Sequence, residues 1–130
     1  MSDVTIATND GAVEISRPTA TDLSTKIYLF VKHDASEEIV LAGAGNVAVG
    51  VLQNQPNGAT VKDTAQVRIG GASLVLAGGA ITSGAYIKSD GNGAGVVTAG
   101  AGENFNALAL TSADSGDRFL AILCHGQVHA

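Results

Sequence analysis

Short runs of Val, Ile, Leu and Ala alternate along this chain with clusters of Gly, Asn and Asp. Such runs, too short for helices and rich in β-branched residues, read as strands punctuated by turns. The pattern predicts strands at Lys26–Lys32, Glu38–Ala42, Val47–Leu52, Ala65–Ile69, Ala72–Leu76, Ala85–Lys88, Gly95–Thr98, Asn106–Leu110 and Arg118–Cys124. Alternation is clearest in Tyr28-Leu29-Phe30-Val31 and Gln66-Val67-Arg68-Ile69, where one face of a sheet is expected to be wet. Leu120-Ala121-Ile122-Leu123 is apolar on both faces. It therefore calls for burial on both sides, either between sheets or against a neighbouring subunit, and the sequence leaves that choice open. No stretch sustains a helical period, except that Thr19–Thr25 admits one turn capped by Thr21 or Asp22.

Seventeen glycines set the turns. Gly70-Gly71 predicts a two-residue hairpin between its flanking strands, and Ser89-Asp90-Gly91-Asn92-Gly93 predicts a second hairpin. Val51-Leu52-Gln53-Asn54-Gln55-Pro56-Asn57-Gly58 is echoed by Ala109-Leu110-Thr111-Ser112-Ala113-Asp114-Ser115-Gly116: a strand end, a linker and a glycine in each. The echo fits either a duplicated β-unit or the recurrence of a common turn. Residues 1–25 differ from the rest, with Val4-Thr5-Ile6-Ala7, Ala12-Val13-Glu14-Ile15-Ser16 and Arg17-Pro18 but no glycine pair. Pro18 would interrupt a central strand, so this segment is expected to be an edge strand or an arm reaching onto a neighbour. The fold expected is all-β, a single-domain β-sandwich or small β-barrel over 26–130 preceded by the arm or edge strand of 1–25.

Composition narrows this picture. A chain of 130 residues suffices for one core. Its 45% apolar content includes 3 Phe, 2 Tyr and no Trp, so the core is poor in large rings and association with other chains would add stability. With 7 basic residues, a net charge of -5 and no Lys or Arg cluster, a nucleic-acid partner is not expected. Apolar runs such as Ile27–Val31 are far too short to span a bilayer, and MSDVTIATND lacks a signal-peptide pattern, so neither a membrane nor standard secretion is expected. A single cysteine, Cys124, allows no internal disulfide and fits synthesis in a reducing cytoplasm.

The search for chemistry finds turns where it looks for sites. Cys124, His125 and His129 stand close at the C-terminus with His33 far away, without the paired spacing of a structural zinc site. Adjacent positions in a strand face opposite ways, so Cys124 and His125 do not read as a nucleophile–base pair. Asp34-Ala35-Ser36-Glu37-Glu38 and Asp114-Ser115-Gly116-Asp117 read as solvated acidic turns. Gly43-Ala44-Gly45-Asn46 lacks the third glycine and the helix of a dinucleotide loop. No catalytic activity, cofactor or metal is expected.

The stretch Val75-Leu76-Ala77-Gly78-Gly79-Ala80-Ile81-Thr82-Ser83-Gly84-Ala85-Tyr86-Ile87-Lys88-Ser89-Asp90-Gly91-Asn92-Gly93 resembles the capsid cement or head decoration proteins of tailed phages. Lys26–Lys32, Val49-Gly50-Val51-Leu52 with Asn57-Gly58, Ala107-Leu108-Ala109-Leu110 and Ser115-Gly116-Asp117 extend the resemblance over about 26–126. It implies a structural protein of the virion, bound to the outer surface of the head as a homotrimer and cementing the major capsid protein. The N-terminal segment lies outside that stretch; read as an arm, it is expected to dock onto the same partner, with candidate capsid contacts at Val4, Ile6, Val13, Ile15, Arg17 and Pro18. A carbohydrate- or receptor-binding β-module is the rival, and its need for exposed aromatic rings is set against aromatics that mostly sit in buried strand patterns.

Overall fold

The computed structural model describes residues 12–58 and 63–128. Ten strands follow in order: β1 (Val13–Pro18), β2 (Phe30–His33), β3 (Ile39–Leu41), β4 (Gly50–Leu52), β5 (Thr64–Gly70), β6 (Ala72–Leu76), β7 (Tyr86–Ser89), β8 (Gly95–Val97), β9 (Asn104–Ala109) and β10 (Arg118–Gln127). They form two five-stranded antiparallel sheets, ordered β1-β5-β4-β2-β3 and β6-β10-β9-β7-β8. The all-β expectation holds, and no helix occurs among the described residues. Where Thr19–Thr25 admitted a helical turn there is an isolated turn, with the Ser24 amide donating to Asp22 Oδ1 at 2.9 Å.

The second strand order is the first advanced by five, so the chain is two copies of one five-stranded unit. Residues 13–70 make unit one and residues 72–127 make unit two. The agreement extends to single hydrogen bonds. Asp34 Oδ1 accepts from the amides of Ser36 and Glu38 in the β2–β3 hairpin. Asp90 Oδ1 accepts from Asn92 and Ala94 in the β7–β8 hairpin. Asn54 Oδ1 accepts from the Gln66 amide, and Thr111 Oγ1 does the same for Leu120. Each sheet also rolls onto itself through one parallel bridge between its outermost strands, Thr19 with Ile39 and Ala77 with Gly95. The echo at 51–58 and 109–116 starts within β4 and at the end of β9, one residue out of step with the pairing of the two units, in which Val51 corresponds to Leu108 and Asn54 to Thr111.

Two expectations are corrected. Gly70-Gly71 is not a hairpin turn. β5 already has β1 and β4 on its two edges and offers β6 no free one, so β6 pairs with β10 instead. Gly71, at φ 81, carries the chain from unit one into unit two, and its carbonyl accepts from the Leu123 amide at 2.9 Å. A left-handed residue without strain is what glycine supplies there. The second correction concerns β2, which begins at Phe30 because Tyr28 takes a left-handed conformation, φ 67, that ends extended geometry. The predicted Ser89–Gly93 hairpin is present and joins β7 to β8.

The core has two parts. Leu23, Val31, Ile39, Leu52, Ala65 and Val67 fill unit one, with Ile15 packed against them. The larger part runs across the junction: Phe30, Ala42, Ala48 and Val51 of unit one join Val75, Ile87, Phe119 and Ala121 of unit two. Unit one lays the face bearing Phe30 and Val51 over the end of unit two. The Phe30 amide donates to Gly93 O at 2.7 Å and the Gly45 amide to Ser89 O at 3.1 Å. Buried Asn106 ties the same junction, accepting from the Ala48 amide and donating to Asn46 O. Nothing larger than hydrogen fits at Gly93: a Cβ there would lie 2.9 Å from Phe30 O.

Candidate functional site

The N-terminal candidates divide by where β1 places them. Val4 and Ile6 lie outside the described residues. Val13 is half exposed at the start of β1, opposite Gly70. Ile15 faces inward onto the unit-one core, and Pro18 closes the ladder opposite Thr64. Arg17 turns toward the β2–β3 hairpin and donates from a guanidinium nitrogen to Glu37 O at 2.8 Å. With His33 and Glu37 it lines a depression of about 380 Å³ at the end of unit one. A cation, an imidazole and a carboxylate around one concavity can take a polar or aromatic group by hydrogen bonds and by stacking on the guanidinium.

The outer face of unit two contrasts with this polar hollow. In antiparallel pairs, residues directly opposite share a face. Across β6, β10, β9 and β7 one row reads Ala72, Ile122, Leu108, Tyr86, and the next reads Leu74, Leu120, Leu110. Ile122 is 43% exposed and Tyr86 47%, the latter resting on Phe105 with ring centroids 4.3 Å apart. The row contains no charged side chain. Residues 120–123 were expected to be covered on both sides; Ala121 meets the core, whereas the Ile122 side has no cover within the described chain. The exposed Tyr86 also departs from the expectation of buried aromatics, which Phe30 and Phe119 do meet.

Unit one shows the same positions in a solvated form. Where unit two has Ala72, Leu74, Leu120 and Ile122, unit one has Glu14, Ser16, Gln66 and Arg68. These close on one another: Arg68 pairs with Glu14 at 2.7 Å, and Ser16 donates to Gln66 at 2.9 Å. Where unit two has Tyr86 and Leu108, unit one has Phe30 and Val51, both buried in the junction.

The chemical suspects occupy structural places. Cys124 and His125 fall in a bulge of β10 between Leu123 and Gly126, so strict alternation does not apply to them. Cys124 is partly rather than fully buried, and desolvation pushes its thiol up. His125 Nε2 lies 2.6 Å from Ala48 O, another tie across the junction. His129 lies outside the described residues. Among the described residues no three metal-ligating side chains gather. The acidic turns are used locally, Asp34 by its hairpin and Asp117 through a backbone bond to Asp114. Glu103 is more specialised: it accepts from Lys88 at 2.7 Å and from the amides of Ala99 and Gly100, which lower its pKa to about 2.

No protein-family model and no curated protein matches the chain by sequence. Among solved structures, it is similar to the crystal structure of the head fiber gp8.5 N base in bacteriophage phi29. The TM-score is 0.71 at 17% identity, covering 92% of this chain and 99% of that one. The two share a fold.

Proposed function

We propose that this chain is a structural, non-catalytic protein of a phage head, placed on the outer surface as a homotrimer and cementing neighbouring copies of the major capsid protein. The observation that carries the reading is the fold held in common, over nearly its whole length, with the base of a phage head fiber. The resemblance of residues 75–93 to head decoration proteins points the same way. Weak contacts repeated on a lattice add up through effective concentration, so a modest docking surface suffices. Val4, Ile6, Val13 and Pro18 are the proposed capsid contacts, while Ile15 supports them from the core side and Arg17 is turned away from them onto the β2–β3 hairpin.

Purified protein added to undecorated heads should saturate at a fixed number of copies and raise the temperature at which the heads come apart. Heads that bind none overturn the reading. Removing residues 2–11 leaves β1 in place and should weaken binding without changing the fold. A glycan-binding reading is favoured by one observation, the exposed Tyr86 ring backed by Phe105. A glycan-array signal abolished by Tyr86→Ala would select it.

A further inference from the structure

The junction inside the chain joins two different surfaces of one repeated unit. Unit one contributes the outer face of β2 and β4, with Phe30 and Val51. Unit two contributes the end of its rolled sheet, where Val75, Ser89 and Gly93 lie and where Ser89 Oγ reaches Ala42 O at 3.5 Å. Two units joined head to tail must leave one surface of each kind unused. The unused face is that of Tyr86 and Leu108, the counterparts of Phe30 and Val51. The unused end is that of Arg17, His33 and Glu37, the counterparts of Val75, Ser89 and Gly93. Those same three residues line the depression at the end of unit one.

We infer that copies of this chain associate head to tail, the Tyr86–Leu108 face of one seating in the Arg17–His33–Glu37 depression of the next. The occupant is a second copy because the same face of the same fold already meets the same end of that fold within the chain. The chemistry of the free surfaces fits too. Tyr86 brings a hydroxyl where Phe30 has none, and it meets a guanidinium able to stack on its ring and hydrogen-bonding groups able to pair its oxygen. Ile122, Leu120 and Leu110 extend the uncharged side, so one of the two meeting surfaces of this acidic chain brings no like charge to the contact.

The contact between copies is looser than the junction it repeats. Gly93 lets the backbone of Phe30 approach, whereas Glu37 holds a side chain in that place at φ 63. Side chains rather than main chains therefore make the contact, which suits an association that forms and reverses. A heterologous contact of this kind closes into a ring, three copies in the homotrimer proposed above, or continues as an open string. The inference rests on that reading only for the number of copies.

Sedimentation and light scattering of the full chain, with no phage head present, test it. The natural chain should associate with rising concentration. Tyr86→Lys on the face and His33→Trp in the depression should each raise the dissociation constant at least tenfold. The mixture decides. One variant keeps a sound depression and the other a sound face, so a one-to-one mixture should form dimers and nothing larger. A natural chain that stays monomeric at ~1 mM, variants that associate like it, or a mixture that remains monomeric overturns the inference; a His33→Trp chain that alone associates like the natural one indicates like faces meeting. Far-ultraviolet circular dichroism checks each variant, and Ile122→Ser with Glu37→Lys serves as a second pair should either of the first lose its strand signal. Because heads are absent, failure to bind heads and failure to mix are read separately.

Discussion

Unit one and unit two have the same strand order and many of the same turn hydrogen bonds, yet they differ in what they show to solvent. On unit one, the outer face of β1 and β5 is closed by an ion pair and a side-chain hydrogen bond, and the outer face of β2 and β4 is buried. On unit two the matching rows hold Ala72, Leu74, Leu120 and Ile122, and Leu108 and Tyr86, with Ile122 and Tyr86 exposed. Backbone geometry is thus satisfied by very different side chains, and the choice of side chains decides which surface is closed by its own polar groups and which is left apolar. The hairpin turns make the same point. Gly93 and Glu37 both adopt left-handed φ, but only the turn that another backbone crosses is glycine.

The sharpest break of the comparison is Phe30→Ala against Tyr86→Ala. These residues hold matching places, so the difference between them measures the junction. Removing the Phe30 ring from a wholly buried site should cost about 4 kcal/mol, and removing the half-exposed Tyr86 ring about 1 kcal/mol, in urea unfolding. Gly93→Ala should cost about 3 kcal/mol, since the methyl group crowds Phe30 O and the residue must stay left-handed. Asn106→Ala leaves the Ala48 amide and Asn46 carbonyl unpaired at a buried seam and should cost about 2 kcal/mol. Glu37→Gly moves in the opposite direction. It relieves a left-handed side chain while keeping the Glu37 carbonyl that Arg17 holds, and it should stabilise the fold by about 1 kcal/mol.

The smallest effect concerns pH. Glu103 is lowered from its usual 4.5 to about 2, so its contribution is complete above 4.5 and is lost as pH falls through about 2. Thermal melts of the natural chain and Glu103→Gln should differ at pH 6 and converge by pH 2. The exposed setting of this carboxylate keeps the difference slight.

Strand positions were legible because they rest on local apolar runs and glycine turns. The Gly70-Gly71 crossing was not, since whether two glycines reverse a strand or pass it to another sheet depends on which edges remain free elsewhere. The duplication left two traces. The echo around the ends of β4 and β9, one residue out of step, is one; the stronger is Phe30-Val31-Lys32-His33-Asp34 beside Tyr86-Ile87-Lys88-Ser89-Asp90, where lysine and the turn-capping aspartate recur. Outside those segments the matching positions hold different residues, Arg68 for Ile122 and Gln66 for Leu120, and the likeness disappears from the letters. The apolar face of β10 was visible as a run without a wet side. Its exposure was not, because the sequence shows how apolar a strand is but not what lies over it.

The parallel bridges that close each sheet have a further consequence. Exposed strand edges are templates on which other chains add strands, and crowding many copies side by side makes such misassembly more frequent. Here Thr19 meets Ile39 and Ala77 meets Gly95, and β3 and β8, the strands so joined, are three residues long. Each bridge takes up one end of an edge strand and so shortens the main chain on which a foreign strand could add.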